Sequence, residues 1–119
     1  MGFSAGGGIA VNAVLEHDSL CRPDFAAGIY AGYRTGLPVP ADAPAFFLAI
    51  TDDDKFVAPI SSAKLYEDWH KAGKSVELHI FSNGEHGFGM KKQKKQSDQW
   101  IDLFKNWLAA QGFLSSLAK

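Results

Sequence analysis

Apolar residues along this chain fall into blocks whose repeat switches between helical and extended periods. From Ser4 to about His17 a run of small and apolar residues ends in the polar stretch Glu16-His17-Asp18-Ser19. It predicts a small-residue helix with Ile9, Ala13 and Val14 facing inward. Phe25 to Tyr30 is a short apolar run bounded by Pro23-Asp24 and Gly32, and predicts a strand. Tyr33 to Pro44 carries Pro38, Pro40 and Pro44 together with Gly36, a composition that belongs to a loop. Ala45 to Thr51 is continuously apolar, as a strand covered on both faces would be, and stops at Asp52-Asp53-Asp54.

The second half repeats the alternation. A helix is predicted from about Ile60 to Ala72, with Ala63, Tyr66 and His70 on one stripe, Leu65 and Trp69 beside it, and Gly73 as its C-cap. Val76 to Phe81 alternates apolar and polar residues and reads as a strand with one wetter face. After the glycine-rich loop from Ser82 to Met90, the residues Trp100, Leu103, Phe104, Trp107 and Leu108 recur at i, i+3, i+4, i+7 and i+8 of an amphipathic helix that closes at Gly112. The order is helix, strand, strand, helix, strand, helix. Strands joined through helical crossovers favour a mostly parallel sheet with helices on both faces, a three-layer α/β/α arrangement.

Composition sets bounds on this picture. At 119 residues the chain is a single domain, 1–119. A hydrophobic fraction of 46% and a charged fraction of 21% are globular values that suggest neither disorder nor a membrane span. The formal net charge of −1 speaks against a nucleic-acid partner, which calls for a basic face. Cys21 is the only cysteine, so an internal disulfide and a cysteine-based metal site are both excluded. No basic segment leads into an apolar stretch at the start, so no secretory leader is expected there.

Chemistry enters at the start of the chain, where Gly2-Phe3-Ser4-Ala5-Gly6 forms a G-x-S-x-G box followed by Gly7 and Gly8. Such a box places its serine on a sharp strand-to-helix turn, with glycines that let neighbouring backbone approach. Only Met1 precedes Gly2, so the strand that would feed the turn is not expected. A serine hydroxyl becomes a useful nucleophile when an imidazole takes its proton and a carboxylate orients that imidazole. All three groups are available in the order Ser4, the 52–54 aspartates, His86. The aspartates follow the Ala45–Thr51 strand, and His86 follows the Val76–Phe81 strand in Gly84-Glu85-His86-Gly87-Phe88-Gly89. Functional groups of open α/β sheets collect at the carboxyl ends of strands, so all of these fall on one edge.

These segments, together with Tyr66 to Gly73 and Val76-Glu77-Leu78-His79-Ile80, resemble the C-terminal half of bacterial α/β-hydrolase esterases related to acetylxylan esterases. The similarity covers nearly the whole chain. It implies a partial α/β-hydrolase fold and a serine hydrolase that cleaves carboxylic esters of acetyl or other short acyl groups, on a small molecule or a carbohydrate. Ser4 would be the nucleophile, His86 the base, and an aspartate of the 52–54 cluster the orienting acid. Counting along the strand from Pro44 selects Asp53; counting back from Val57 selects Asp54. Asp53 is preferred, because a one-residue slip is easier in a loop than in a strand whose faces are fixed. The Ala5 N–H would serve the oxyanion hole. No metal or organic cofactor is required, and activity should fall in acid as the imidazole is protonated.

The family's earlier strands, and the loop that gives a second oxyanion donor, have no counterpart in this sequence. The chain therefore reads as a truncated hydrolase, with N-terminal strands absent and a sheet flank open to a partner or to a second copy as a homo-oligomer. Two rivals stand beside the esterase: a prolyl-oligopeptidase-type peptidase, which shares topology and triad order, and an inactive fragment acting as an interaction module. Plainer readings apply to several residues. Ser4 could merely cap a helix, the aspartates could form an exposed turn, and Gly6-Gly7-Gly8 lacks the lysine of a phosphate loop. His17, His70 and His79 read as surface or packing residues. Lys91, Lys92, Lys94 and Lys95 read as a solvated edge at a helix start.

Overall fold

In a computed structural model that describes residues 1–34 and 36–115, four parallel strands form one sheet in the order β1-β2-β3-β4. The strands are β1 (Gly2–Phe3), β2 (Phe25–Ile29), β3 (Ala45–Thr51) and β4 (Val76–Phe81). Helices α1 (Ala5–Leu15) and α2 (Pro59–Lys71) lie on one face, and α3 (Trp100–Ala110) lies on the other. Side-chain alternation explains this layering. Ala26, Phe46 and Leu48 point to α1 and α2, where they meet Val11, Val14, Leu65 and Trp69. Ala27, Ile29, Phe47 and Ala49 point to Trp100 and Trp107 of α3. Because β3 is buried on both faces, its sequence is apolar throughout.

Three expectations need correction. First, a strand does precede Ser4: Gly2 pairs with Gly28 and Phe3 with Ile29. Phe3 is anchored from its side chain, edge-on to Trp100 at 5.7 Å and tilted against Tyr30 at 5.9 Å, so two residues suffice to hold the pairing. Second, α1 buries Gly7, Val11 and Val14, whereas Ile9 and Ala13 face outward. The inward stripe is set by the glycine at which the helix approaches the sheet. A Cβ on Gly7 would stand 2.5 Å from that of Ala31, so only glycine lets the helix come this close to the chain just past β2. Third, α2 buries Ser62, Leu65 and Trp69, while Tyr66 and His70 stack on each other at the surface. Trp69 decides the rotation, since its indole N–H donates to the Pro44 carbonyl at 3.0 Å from a fully buried position.

The other elements follow the sequence closely. Among the described residues, the connection from β2 to β3 holds no helix, in keeping with its prolines. It is tied to α2 where the Tyr33 hydroxyl donates to Asp68 at 2.5 Å. α3 carries the expected stripe, with Trp100 and Trp107 buried and Leu103, Phe104 and Leu108 packed beside them. The lysine run, however, precedes a short 3-10 turn at Gln96–Gln99 instead of opening the helix.

Candidate active site

Ser4, Asp54 and His86 come together at the carboxyl edge of the sheet, each carried there by a strand end. Ser4 follows β1 with φ 52° and ψ −119°, a conformation that costs a non-glycine residue about 1–3 kcal/mol. Its N–H donates to the Ile29 carbonyl at 2.9 Å, and its own carbonyl accepts from Gly8 at 3.1 Å. A side chain on Gly2 would collide with the Gly6 carbonyl, so the turn can be this tight only with glycine there. Ala5 is the first residue of α1, where a backbone N–H has no intrahelical acceptor. The turn therefore raises Ser4 out of the sheet and leaves one N–H beside it.

The serine Oγ lies 2.8 Å from His86 Nε2, and His86 Nδ1 lies 2.8 Å from Asp54 Oδ2. A carboxylate can only accept, so Nδ1 carries the proton and Nε2 accepts from the Ser4 hydroxyl. The Asp54 side chain is fully buried, and its other oxygen, Oδ1, accepts the N–H groups of Phe56 and Val57, both at 2.8 Å. Asp54 is thus fixed before it orients anything.

The preference for Asp53 as the carboxylate beside His86 is corrected by this geometry. Asp53 instead accepts from Glu85 N–H at 2.8 Å and Gly84 N–H at 3.2 Å, and these contacts clamp the base of the histidine loop. The Glu85 N–H, with help from Thr51 and Gly84, holds its carboxyl below the usual carboxylate range. Counting along β3 fails because the chain turns sharply after Thr51, where the Asp54 N–H returns to the Thr51 carbonyl at 3.3 Å. Counting back from Val57 succeeds because Asp54 receives the N–H groups two and three residues ahead, a local aspartate turn that the sequence Asp54-Lys55-Phe56-Val57 could have signalled.

The histidine loop is held from several sides. Gly84, Glu85, Gly87 and Gly89 all have positive φ, which explains its glycine content. The Thr51 hydroxyl donates to the Glu85 carbonyl at 3.2 Å, and Trp100 Nε1 donates to the Gly89 carbonyl at 2.8 Å. Glu85 also meets Lys95 at 3.0 Å. Phe88 is buried against Tyr30, and the Tyr30 ring stands 4.8 Å from the imidazole in an edge contact. Burial pushes the Tyr30 hydroxyl up from its ordinary value, so it stays neutral beside the imidazole. Neither Tyr30 nor Phe56 stands out in the sequence as a site residue. On the solvent side, Asp53, Lys55, Phe56, Glu85 and His86 line an open cleft of about 210 Å³.

A parallel sheet flanked by helices, with a serine at a strand-to-helix elbow, is the fold of α/β hydrolases. Residues 30–111 match the prolyl oligopeptidase family, and the chain belongs to that family. That match includes Asp54 and His86 and begins after Ser4. The fold is similar to that of an α/β hydrolase enzyme from a Medee basin deep-sea metagenome library, at 25% identity and a TM-score of 0.81 over 95% of this chain and 53% of that one. It is equally similar to an acetyl ester-xyloside bifunctional hydrolase from Caldicellulosiruptor lactoaceticus, at 25% identity and a TM-score of 0.81 over 96% and 56%. A carboxylesterase from Lactobacillus plantarum, 22% identical, shares the fold with a TM-score of 0.78 over 97% and 58%. The chain spans about half the length of these solved structures. No curated protein matches it.

Proposed function

We propose that this chain carries the acid, base and nucleophile of a serine hydrolase that cleaves short-chain carboxylic esters. The observation that carries the reading is the unbroken chain of two 2.8 Å hydrogen bonds from Ser4 through His86 to Asp54. As Ser4 Oγ attacks the ester carbonyl, its proton passes to Nε2, and Asp54 stabilises the imidazolium that forms. The Ala5 N–H donates to the oxyanion. Collapse of the tetrahedral intermediate breaks the bond to the alcohol oxygen, which takes the Nε2 proton as it leaves. Water then attacks the acyl-serine by the same route and releases the carboxylic acid.

Acetyl is the acyl group we favour, and a carbohydrate alcohol the finer substrate, because one similar structure is described as an acetyl ester-xyloside hydrolase. Family membership supports a second reading, cleavage of proline amides. Relative turnover of acetyl esters and proline amides separates the two. The test of the shared chemistry is fluorophosphonate labelling of the purified chain, with Ser4→Ala as control and circular dichroism to establish folding. Labelling of Ser4 that vanishes in the control is expected. A folded chain that takes no label overturns the proposal for this chain.

A further inference from the structure

We propose that Phe56 is the residue that selects the alcohol portion of the ester, favouring alcohols that carry a ring. The inference rests on the ester-hydrolase reading. A general acid at Nε2 must reach the departing oxygen, so the alcohol leaves on the imidazole side of Ser4. On that side the cleft of about 210 Å³ is lined by His86 and Phe56, whose rings are 5.4 Å apart and inclined at 52°. Phe56 is 84% exposed and belongs to neither core cluster, so its side chain does little for the fold. Its backbone is nonetheless fixed, because its N–H donates to the same Asp54 carboxylate that orients His86. One buried group therefore sets both the base and an aromatic face beside it.

An exposed aromatic ring whose backbone is anchored beside the imidazole provides a stacking surface for a ring-bearing alcohol. The cleft walls add Asp53 and Glu85, whose carboxylates can accept from hydroxyl groups, while Lys55 and the Lys95 ammonium paired with Glu85 balance their charge. A ring with hydroxyl substituents meets both the aromatic face and the acceptors.

The experiment compares kcat/KM of the full chain for benzyl acetate and ethyl acetate, whose alcohols differ in the ring but little in leaving ability. Benzyl acetate is expected to be the better substrate. Phe56→Ala should lower the benzyl-to-ethyl ratio about fivefold to tenfold, Phe56→Leu should lower it nearly as much, and Phe56→Tyr should restore it. An unchanged benzyl-to-ethyl ratio in Phe56→Ala, in a chain whose Ser4 still takes a fluorophosphonate, overturns the role of Phe56 and leaves the hydrolase reading standing. A folded wild-type chain that neither labels nor cleaves any ester overturns both.

Discussion

The two halves of the site are held very differently. His86 and Asp54 sit in a lattice of their own: Asp54 accepts two backbone N–H groups, Asp53 two more, and Trp100 and Thr51 pin the loop from opposite ends. Ser4 depends on a two-residue strand paired on one side, one hydrogen bond to Ile29 and the packing of Gly7 on Ala31. The placing of His86 and Asp54 is therefore a property of β3, β4 and their loops, whereas that of Ser4 is a property of close packing beside β1. Stability and reactivity can be lost separately.

The largest effects should come from the hydrogen-bonded chain itself. Ser4→Ala should abolish ester cleavage, and Asp54→Asn should lower kcat by about 10⁴, because the imidazole loses the acceptor that fixes its tautomer. Asp53→Asn, one residue away, should leave kcat for ethyl acetate within about tenfold. Removing a charge-assisted acceptor from the loop should instead cost stability, read as a lower denaturant midpoint. If Asp53→Asn damaged turnover as severely as Asp54→Asn, the separation between orienting acid and loop clamp would collapse.

The contrast also explains what the sequence reveals. Element order, the parallel sheet, the β3 core and the α3 stripe are all legible, because burial on one or two faces writes a regular period into the residues. Ser4 and His86 are legible because glycines mark the backbone each requires. The choice between Asp53 and Asp54 turns on a tight turn after Thr51, where no period exists and only local hydrogen bonds decide. The inward face of α1 is obscured for a related reason. One of its close contacts is made by Gly7, a residue with no side chain to register in any apolar pattern. Phe56 is hidden because exposed aromatics carry no periodic signal.

Glycine substitutions test the two halves at intermediate magnitude. In Gly7→Ala the new methyl would press on Ala31, and overpacking of this kind costs about 1–3 kcal/mol. The strain should appear at the elbow: slower fluorophosphonate labelling of Ser4, with the histidine loop undisturbed. Gly84→Ala combines a φ of +150° with contact against Ser97 and Thr51, so it should destabilise the other half by a similar amount or more. Hydrogen exchange resolves the outcome by region. Loss of protection should centre on α1 in the first variant and on residues 82–90 in the second; identical patterns would mean that the halves unfold as one unit.

The smallest effect concerns the far end of α1. His17 Nδ1 donates to the Val14 carbonyl at 2.6 Å, and Nε2 lies 3.0 Å from Asp42 Oδ1. Both partners only accept, so the geometry calls for the doubly protonated imidazolium, and the Asp42 contact, followed by the Val14 carbonyl, raises His17 above its ordinary value. His17 in turn lowers Asp42. For a raised histidine, the stabilisation is fully present below the unfolded value of about 6.5 and is lost as pH rises through the folded value. The lowered aspartate contributes above its unfolded value near 3.9 and loses that contribution as pH falls through its folded value. The tether should therefore be strongest around pH 5 to 6 and weaken toward pH 8. A drop in Tm of a degree or two over that interval, matched by faster exchange in α1 and absent from His17→Gln, is the expected result. A wild-type profile parallel to that of His17→Gln would show that the Asp42 contact adds nothing to α1, and Ser4 would then rest on the packing of Gly7, Val11 and Val14 and on the short β1 pairing with its Phe3 contacts.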